Sequence, residues 1–327
     1  MSTLTIRQVG HCVVQDLGRP GHAAIGVAAN GSADQHAART ANILVGNAED
    51  AALLELTASE LAFTAGSDLL VAVTGAARHV LVDGHPHAAW ETVTVFAGSH
   101  VLVPVGPSGY RSYLAVNGTI EADRVLGSVA PDRLIGAGRQ LAADDTVTVD
   151  SSFTTRGGRW WELLFRLAAA PVVLGDTIEV DATPGPDVDR IRGGLAALDA
   201  PFLVTPQSDD IGLRLTGVPI ERTTTEEILS RGVPVGAIEV PPDGGVIMLM
   251  RGRLVTAGYP VLAVVTTESL DRLGQTGPGA TVRVNVCDLD EARAAILRRH
   301  DERRELAGRV RTALAASGLA HVVSGVR

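Results

Sequence analysis

Short apolar runs recur along the chain, each stopped by a turn of glycine, asparagine, aspartate or proline. HVLVD (His79–Asp83), SYLAV (Ser112–Val116) and VIMLM (Val246–Met250) border the turn signals Asp83-Gly84, Asn117-Gly118 and Pro242-Asp243-Gly244. Val/Leu-rich runs between closely set turns predict hairpins, and their repetition predicts an all-β barrel or sandwich. Helical spacing is rarer. Ser32-Ala33-Asp34-Gln35 has the form of a capping box, QHAARTANILV follows it, and Gly46 stands where a helix C-cap wants a left-handed residue. Thr223 to Arg231 repeats the device, with Glu226 and Glu227 after the threonines and Gly232 behind. Thr267 to Leu273, before Gly274, predicts a third, shorter helix. From Asp290 to Ala316 the chain turns charged and helical, and Ile296, Leu297, Leu306, Val310 and Leu314 fit one face. That helix either packs on the body or a partner or stands solvated. A boundary is expected within RGGRWWELLFRLAAAP, near Trp160 to Pro171. The pattern therefore reads as two β domains, residues 1–168 and 169–289, followed by a helical extension over 290–327.

Composition narrows the function. A chain of 327 residues is comfortable for two domains. Aromatic residues are only 3%, so the cores must be built from Val, Leu, Ile and Ala. The net charge of -9 argues against a nucleic-acid face, which needs a concentrated basic surface. No apolar run approaches the roughly 20 residues of a membrane helix. MSTLTIRQVG lacks the basic start and apolar stretch of a signal peptide. Cys12 and Cys287 are far apart and build no disulfide framework. A cytoplasmic protein with no membrane or nucleic-acid partner is expected. All 28 basic residues are arginine. Without lysine the chain cannot form a Schiff base, present a P-loop lysine or carry covalent biotin.

Familiar catalytic motifs are missing. Gly106-Pro107-Ser108-Gly109 has the wrong spacing for a nucleophile elbow, and no Cys-x-x-Cys or His-Glu-x-x-His occurs. His85 and His87 alternate as strand neighbours, with His79 nearby, but they flank an exposed turn and no metal is predicted. Gly136-Ala137-Gly138 lacks the third glycine of a dinucleotide loop.

Polar-rich turns stand out instead: QDLGRPG (Gln15–Gly21), NGSAD (Asn30–Asp34), LVGN (Leu44–Asn47), TPQSDDIGLRLTG (Thr205–Gly217), GAIEVPPDGG (Gly236–Gly245) and GRLVTAGYP (Gly252–Pro260). In this order, from Val13 to about Val286, they resemble the allophanate hydrolase subunit 2 family. That family is also known as the C subunit of 5-oxoprolinase, the kinase-A-inhibitor antagonist, or the biotin-dependent carboxyltransferase domain. The resemblance implies a mainly β protein of two cyclophilin-like β-barrel domains with a few short helices and a C-terminal helix. It implies a composite site shared with a subunit 1-like partner, the B component of such enzymes. With a third subunit, such an assembly opens 5-oxo-L-proline to L-glutamate at the expense of ATP. ATP would be bound by the assembled complex, and this chain alone would be inactive. Two alternatives stay open. One is the carboxyltransferase half of a biotin-dependent urea-type carboxylase, with carboxybiotin supplied by a partner. The other is a non-catalytic regulator that binds an inhibitor of a histidine kinase.

An amide or ureido substrate develops negative charge on its oxygen, and guanidinium or backbone N–H donors stabilise it. Arg19 and Arg214 are the expected donors, with Asp16 orienting Arg19 or acting as a base and Asp243 as a second carboxylate. Gln15, Asn30, Gln207, Ser208, Arg253, Thr256 and Tyr259 are the expected substrate contacts. The same residues also suit turns: Asp16 and Arg19 as a turn-closing salt bridge, Asp243 as an Asx-turn. The family pattern D-R-Q-T-T-G-G-Y-P plus a base is replaced by Gly252–Val261, which is less polar, and G-V-P becomes Gly26-Val27-Ala28. Retained activity on an altered substrate is expected, because PQSDDIGLRL and the first-half motifs are intact.

Overall fold

A computed structural model describes residues 1–155, 166–226 and 228–319. The stretch 156–165, which carries much of the expected boundary, lies outside them, as does Glu227. The described chain is mainly β, with three α-helices: α1 (Gln35–Leu44), α2 (Thr267–Gly274) and α3 (Leu289–Ala316). It divides into two compact units. The first comprises Met1–Gly18, Gln35–Val173 and Asp301–Arg327; the second comprises Arg19–Asp34 and Leu174–His300.

The first unit holds β1 (Ser2–Val9), β2 (Cys12–Gln15), β3 (Leu53–Thr57), β4 (Leu61–Ala65), β5 (Leu69–Gly75), β6 (His79–Val82), β7 (His85–Ala88), β8 (Thr92–Val95), β9 (His100–Val103), β10 (Arg111–Val116), β11 (Thr119–Ile120) and β12 (Thr146–Asp150). They form a seven-stranded sheet, β11-β12-β1-β4-β9-β6-β7, and a five-stranded sheet, β2-β3-β10-β5-β8. One aliphatic core joins the two sheets, with Leu4, Ile6 and Phe63 from one and Val14, Leu54, Val71 and Leu114 from the other. A second cluster covers the other face of the five-stranded sheet. There Leu53, Leu70, Ala72 and Tyr113 meet Ala37, Ala41 and Leu44 of α1 and Leu306, Val310 and Leu314 of α3. Burial on both faces explains why LLVAV is apolar throughout and SYLAV carries no charged, solvent-facing positions.

The turns are built as their residues dictate, with two differences. Asp83 (φ 49°) and Gly84 (φ 81°) close the β6–β7 hairpin in the left-handed pair a two-residue turn needs. Asn117-Gly118 closes no hairpin. It carries the chain from β10 in one sheet to β11 in the other, which pairs with β12. Its asparagine is used for anchoring: the Asn117 amide donates to Val45 O at 2.8 Å. Reciprocally, Asn47 donates to Val116 O at 2.9 Å and accepts from Gly118 N at 2.9 Å. Gly46 (φ 80°) ends α1, its N–H reaching Ile43 O at 2.9 Å. LVGN is thus the clamp between the end of α1 and the end of β10.

The second unit holds β13 (Thr177–Pro184), β14 (Phe202–Val204), β15 (Gly212–Thr216), β16 (Arg231–Gly232), β17 (Ala237–Glu239), β18 (Val246–Leu249), β19 (Thr256–Ala257), β20 (Val261–Val265) and β21 (Thr281–Val286). Seven of these close a barrel in the order β13-β20-β17-β18-β15-β14-β21, and β16 pairs separately with β19. The barrel interior is aliphatic, with Val180, Leu213, Leu215, Ile238, Val240, Met248, Leu262 and Val282 around Phe202. Helix α2 starts where expected, with the Thr266 side chain accepting from Ser269 N.

Two helical expectations are corrected. Among the described residues 223–231 no helix forms. Thr223 N donates to Arg190 O at 2.8 Å, Thr224 Oγ1 accepts from Glu226 N at 3.1 Å, and Arg231 joins the β16–β19 ribbon. Threonine hydroxyls that satisfy neighbouring backbone compete with the helix. The apolar face of α3 is also shorter than its pattern. Leu306, Val310 and Leu314 are buried, whereas Ile296 and Leu297 are 40% and 54% exposed.

Two stability outcomes follow. Asn47→Ala removes the clamp and leaves buried backbone groups unmet, lowering stability by about 1–3 kcal/mol in urea unfolding. Leu314→Ala costs about 2–5 kcal/mol by opening a cavity under α3. Leu297→Ala, on the same helix, stays within about 0.5 kcal/mol of the parent. Equal effects at the two leucines would contradict the one-sided packing of α3.

Candidate functional site

Strand β17 positions the site. Gly236, at φ 83°, turns the chain into it. Along the strand the pleat alternates, so Ile238, like Val240 after it, joins the barrel interior while Ala237 joins a separate cluster with Val233, Leu249 and Val261. Glu239 lies on the outer face with Ala237. It stands opposite Ile247 on β18, and Ile247 stands opposite Arg214 on β15. Arg214, Ile247 and Glu239 therefore share one cross-strand row, with Arg214 two strand spacings, roughly 10 Å, from Glu239.

A cavity of about 1010 Å³ borders this wall. Its lining comes from the barrel (Glu239, Leu249), the β17–β18 turn (Asp243), the segment before β16 (Ile220, Glu221, Arg222, Thr224, Ile228) and the segment through β19 (Leu254, Thr256, Tyr259). The short β16–β19 ribbon, with Arg231 opposite Ala257, ties the last two segments together. Gly258 is required there, because a Cβ would come within 2.9 Å of Ile228 O.

Glu239 is 2% exposed, and its Oε1 has no hydrogen-bond partner among the described residues. Desolvation pushes its carboxyl up to about 7, while the Arg231 charge pulls the other way. Arg231 is itself paired with the buried Asp187, whose carboxylate also accepts from Val261 N at 2.7 Å. Arg222 brings the opposite polarity: its Nε is buried without a partner among the described residues, and Nη2 donates to Glu226 O at 3.4 Å. A buried carboxyl near neutrality beside a cavity can take or give a proton at physiological pH. Neither cysteine does comparable work. Burial, then Glu55, pushes the Cys12 thiol up to about 12, and burial also raises Cys287. Among the described residues no group of three or more His, Cys, Asp or Glu gathers as a metal site.

Of the residues singled out in the sequence, Asp243, Thr256 and Tyr259 line the cavity. Asp243 also makes an Asx-turn, accepting from Gly245 N at 3.0 Å. Arg214 is exposed on the same barrel wall. Ser208 accepts from Arg214 N at 2.9 Å and shapes the turn before β15, with Gln207 exposed beside it. Arg253 is half-buried and donates to Val233 O at 2.9 Å; burial lowers its pKa. The Asn30 N–H donates to Arg251 O at 3.1 Å. Arg19 belongs to the second unit, is 1% exposed, and is not among the cavity residues. Gln15 and Asp16 belong to the first unit and are buried. Asp16 gathers Gly18 N at 2.8 Å, Ser128 Oγ at 2.6 Å, Val129 N at 3.0 Å and the Arg124 guanidinium at 3.6 Å. Sequence reasoning passed over Glu239 and Arg222. Glu239 had a signal, as the lone charge in the apolar GAIEVPP; Arg222, among the polar residues of ERTTTEE, had none.

Residues 25–286 match the family model described as carboxyltransferase domain, subdomain A and B. The chain belongs to this family. The match takes in the whole cavity and starts after QDLGRPG. Among family relatives, the C subunit of 5-oxoprolinase from Escherichia coli (strain K12) is 32% identical over 91% of this chain and 94% of its own. The C subunit of the Haemophilus influenzae 5-oxoprolinase is 30% identical over 88% and 92%. The crystal structure of the K. lactis urea amidolyase superposes with a TM-score of 0.81 at 22% identity, covering 93% of this chain and 20% of that one. That likeness shows the fold. No helix among the described residues is long and apolar enough to cross a membrane.

The raised Glu239 pKa has a defined sign. The folded state holds the proton more tightly than the unfolded chain, so stability falls as pH rises from the ordinary carboxylate range to about 7. Glu239→Gln removes this penalty. It raises Tm at pH above about 7, and the gain shrinks to nothing below about pH 4, where both states are protonated. Thermal melts of the two proteins across that range check this; a gain independent of pH would exclude a buried titrating carboxyl.

Proposed function

We propose that this family member is the C-type component of a heteromeric ATP-dependent 5-oxoprolinase. It works in a composite site with a subunit 1-like partner, the B component, and a third subunit. The observation that carries the reading is the cavity on the barrel wall, lined by the buried Glu239 and by Asp243. The coverage of the two 5-oxoprolinase relatives supports it. Opening a lactam requires a proton for the departing nitrogen and donors for the charge that develops on the carbonyl oxygen. In this reading Glu239 supplies or takes the proton, Arg222 faces the oxygen, and the Thr256 and Tyr259 hydroxyls complete the polar contacts. Arg214 adds positive charge on the same wall. Arg19 does not line the cavity and is assigned no substrate contact.

The cavity lining does not fit ATP. Glu221, Glu239 and Asp243 set three carboxyl groups against one guanidinium, Arg222, a poor match for a triphosphate. ATP is therefore assigned to the assembled enzyme, and no step is routed through it here. The likeness to the urea amidolyase fold favours a second reading, the carboxyltransferase half of a urea-type carboxylase. Carboxybiotin would then arrive on another protein, because this chain has no lysine.

Copurification with the two partner subunits, followed by an assay of glutamate release from 5-oxoproline and ATP, tests the first reading. The assembly is expected to release glutamate and the isolated chain none; turnover by the single chain would refute the composite site. Glu239→Gln in the assembly, which removes the proposed proton carrier, lowers turnover about a hundredfold, the scale for loss of a group acting in the transition state.

A further inference from the structure

Helix α3 begins beyond Val286, where the family match ends, so the shared fold does not account for its surface. It buries Leu306, Val310 and Leu314 on one side. Leu297 lies about two and a half turns before Leu306 and therefore on the opposite side, where it is exposed. Residues three and four apart on a helix are neighbours, so Asp290, Arg293, Leu297, Asp301 and Arg304 form one stripe through it. All five are exposed, and all lie on this one unbroken helix. Among the described residues the stripe holds a single ion pair, Arg304 with Asp301 at 3.9 Å, and its solvated charges hold each other only weakly.

The stripe is symmetric about its leucine. Asp290 and Arg304 lie at equal distances from Leu297, about 10 Å along the axis, and Arg293 and Asp301 at about 6 Å. Reversing the direction of the helix therefore exchanges acid for base at every charged position. An antiparallel second copy centred on Leu297 sets Asp290 level with Arg304 of the second copy, and Arg293 level with its Asp301. The twofold axis repeats both pairings at the other end. Leucine meets leucine on the axis, shielded by the aliphatic stems of the arginines. Parallel, in-register pairing would set acid on acid and base on base, so the charges select the antiparallel direction.

We propose that α3 is a self-association surface, on which two copies of this chain pair antiparallel about a twofold axis at Leu297. One helix face is a small contact held largely by exposed charges, so the dimer is weak and salt-dependent, not obligate. The inference is independent of the activity proposed above.

Sedimentation equilibrium of the full chain is the test. A monomer–dimer equilibrium with a dissociation constant on the order of 100 μM is expected at about 50 mM salt, weakened about tenfold or more at about 500 mM. At the roughly 1 μM of an unfolding experiment the chain is then monomeric, and the contact leaves its stability unchanged. Leu297→Glu weakens the dimer about tenfold or more by setting two carboxylates on the axis. Arg293→Asp does the same by facing Asp301 of the second copy, and Asp301→Arg by facing its Arg293. Arg293→Asp combined with Asp301→Arg restores the dimer, because the exchanged charges again meet their opposites. The substituted positions are exposed, so thermal melts of the variants follow the parent. A parent that stays monomeric at about 500 μM overturns the proposal. So does a dimer that Leu297→Glu leaves intact, or one that the double exchange fails to restore although the variant melts like the parent. Copurification with the partner subunits separates the remaining case: variants that lose those subunits, from a parent that never dimerises, would assign the stripe to another protein and overturn self-association.

Discussion

Closure of the seven-stranded barrel dictates where chemistry can be placed in the second unit. The parallel pairing of β13 with β21, from Thr177↔Thr281 to Ala182↔Val286, completes a ring in which no strand edge is left open. A barrel of this size fills its interior with side chains. With few aromatics available, that interior is taken up by valine, leucine, isoleucine and methionine around Phe202. A polar group on a barrel strand must therefore face outward or remain unsolvated. Glu239 does both: the pleat turns it outward, and the segments around β16 and β19 cover it.

That cover sets how tightly the carboxyl holds its proton. An exposed glutamate on a barrel wall would be ionised at neutral pH and indifferent to its surroundings. Behind the β16–β19 ribbon the charged form loses its hydration, and the proton is held to about pH 7. Arg231 could cancel this effect by pairing with Glu239. Instead it is committed to Asp187, which also holds the start of β20 through Val261 N. The Asp187 pairing thus keeps the arginine's influence on Glu239 partial.

The β content, the helices at Gln35 and Thr267 and the family were all legible in the sequence, because each rests on local signals: apolar runs between turns, caps, and motifs in a fixed order. Non-local competition was not legible. The threonines at 223–225 carried helix-start signals, yet Thr223 is held by Arg190 O. Ile296 and Leu297 fit an apolar face that only the far half of α3 buries. Asn117-Gly118 has hairpin chemistry, but its strands belong to different sheets. Within the site, Asp243, Thr256 and Tyr259 were accessible as polar residues on glycine-rich turns. Glu239 was hidden by its place inside a strand, where a charge reads as a solvent-facing residue unless something known to cover it can be identified.

Two buried carboxyl groups show how environment, not residue type, decides whether a carboxyl is met by its own chain. Asp16 is surrounded by donors: two backbone N–H groups, the Ser128 hydroxyl and the Arg124 guanidinium. Donors in that number occupy both of its oxygens, and they tie the QDLGRPG turn to Ser128 and Val129 across more than a hundred residues of chain. Glu239 has an oxygen that no described residue meets. A carboxylate saturated by its own chain has little left to offer a ligand, whereas one left short by its own chain carries the cost of an unmet buried acceptor. The polar turn that looks most catalytic in sequence thus also anchors the fold through Asp16, and the acidic residue enclosed by apolar neighbours is the one its own chain leaves short of donors.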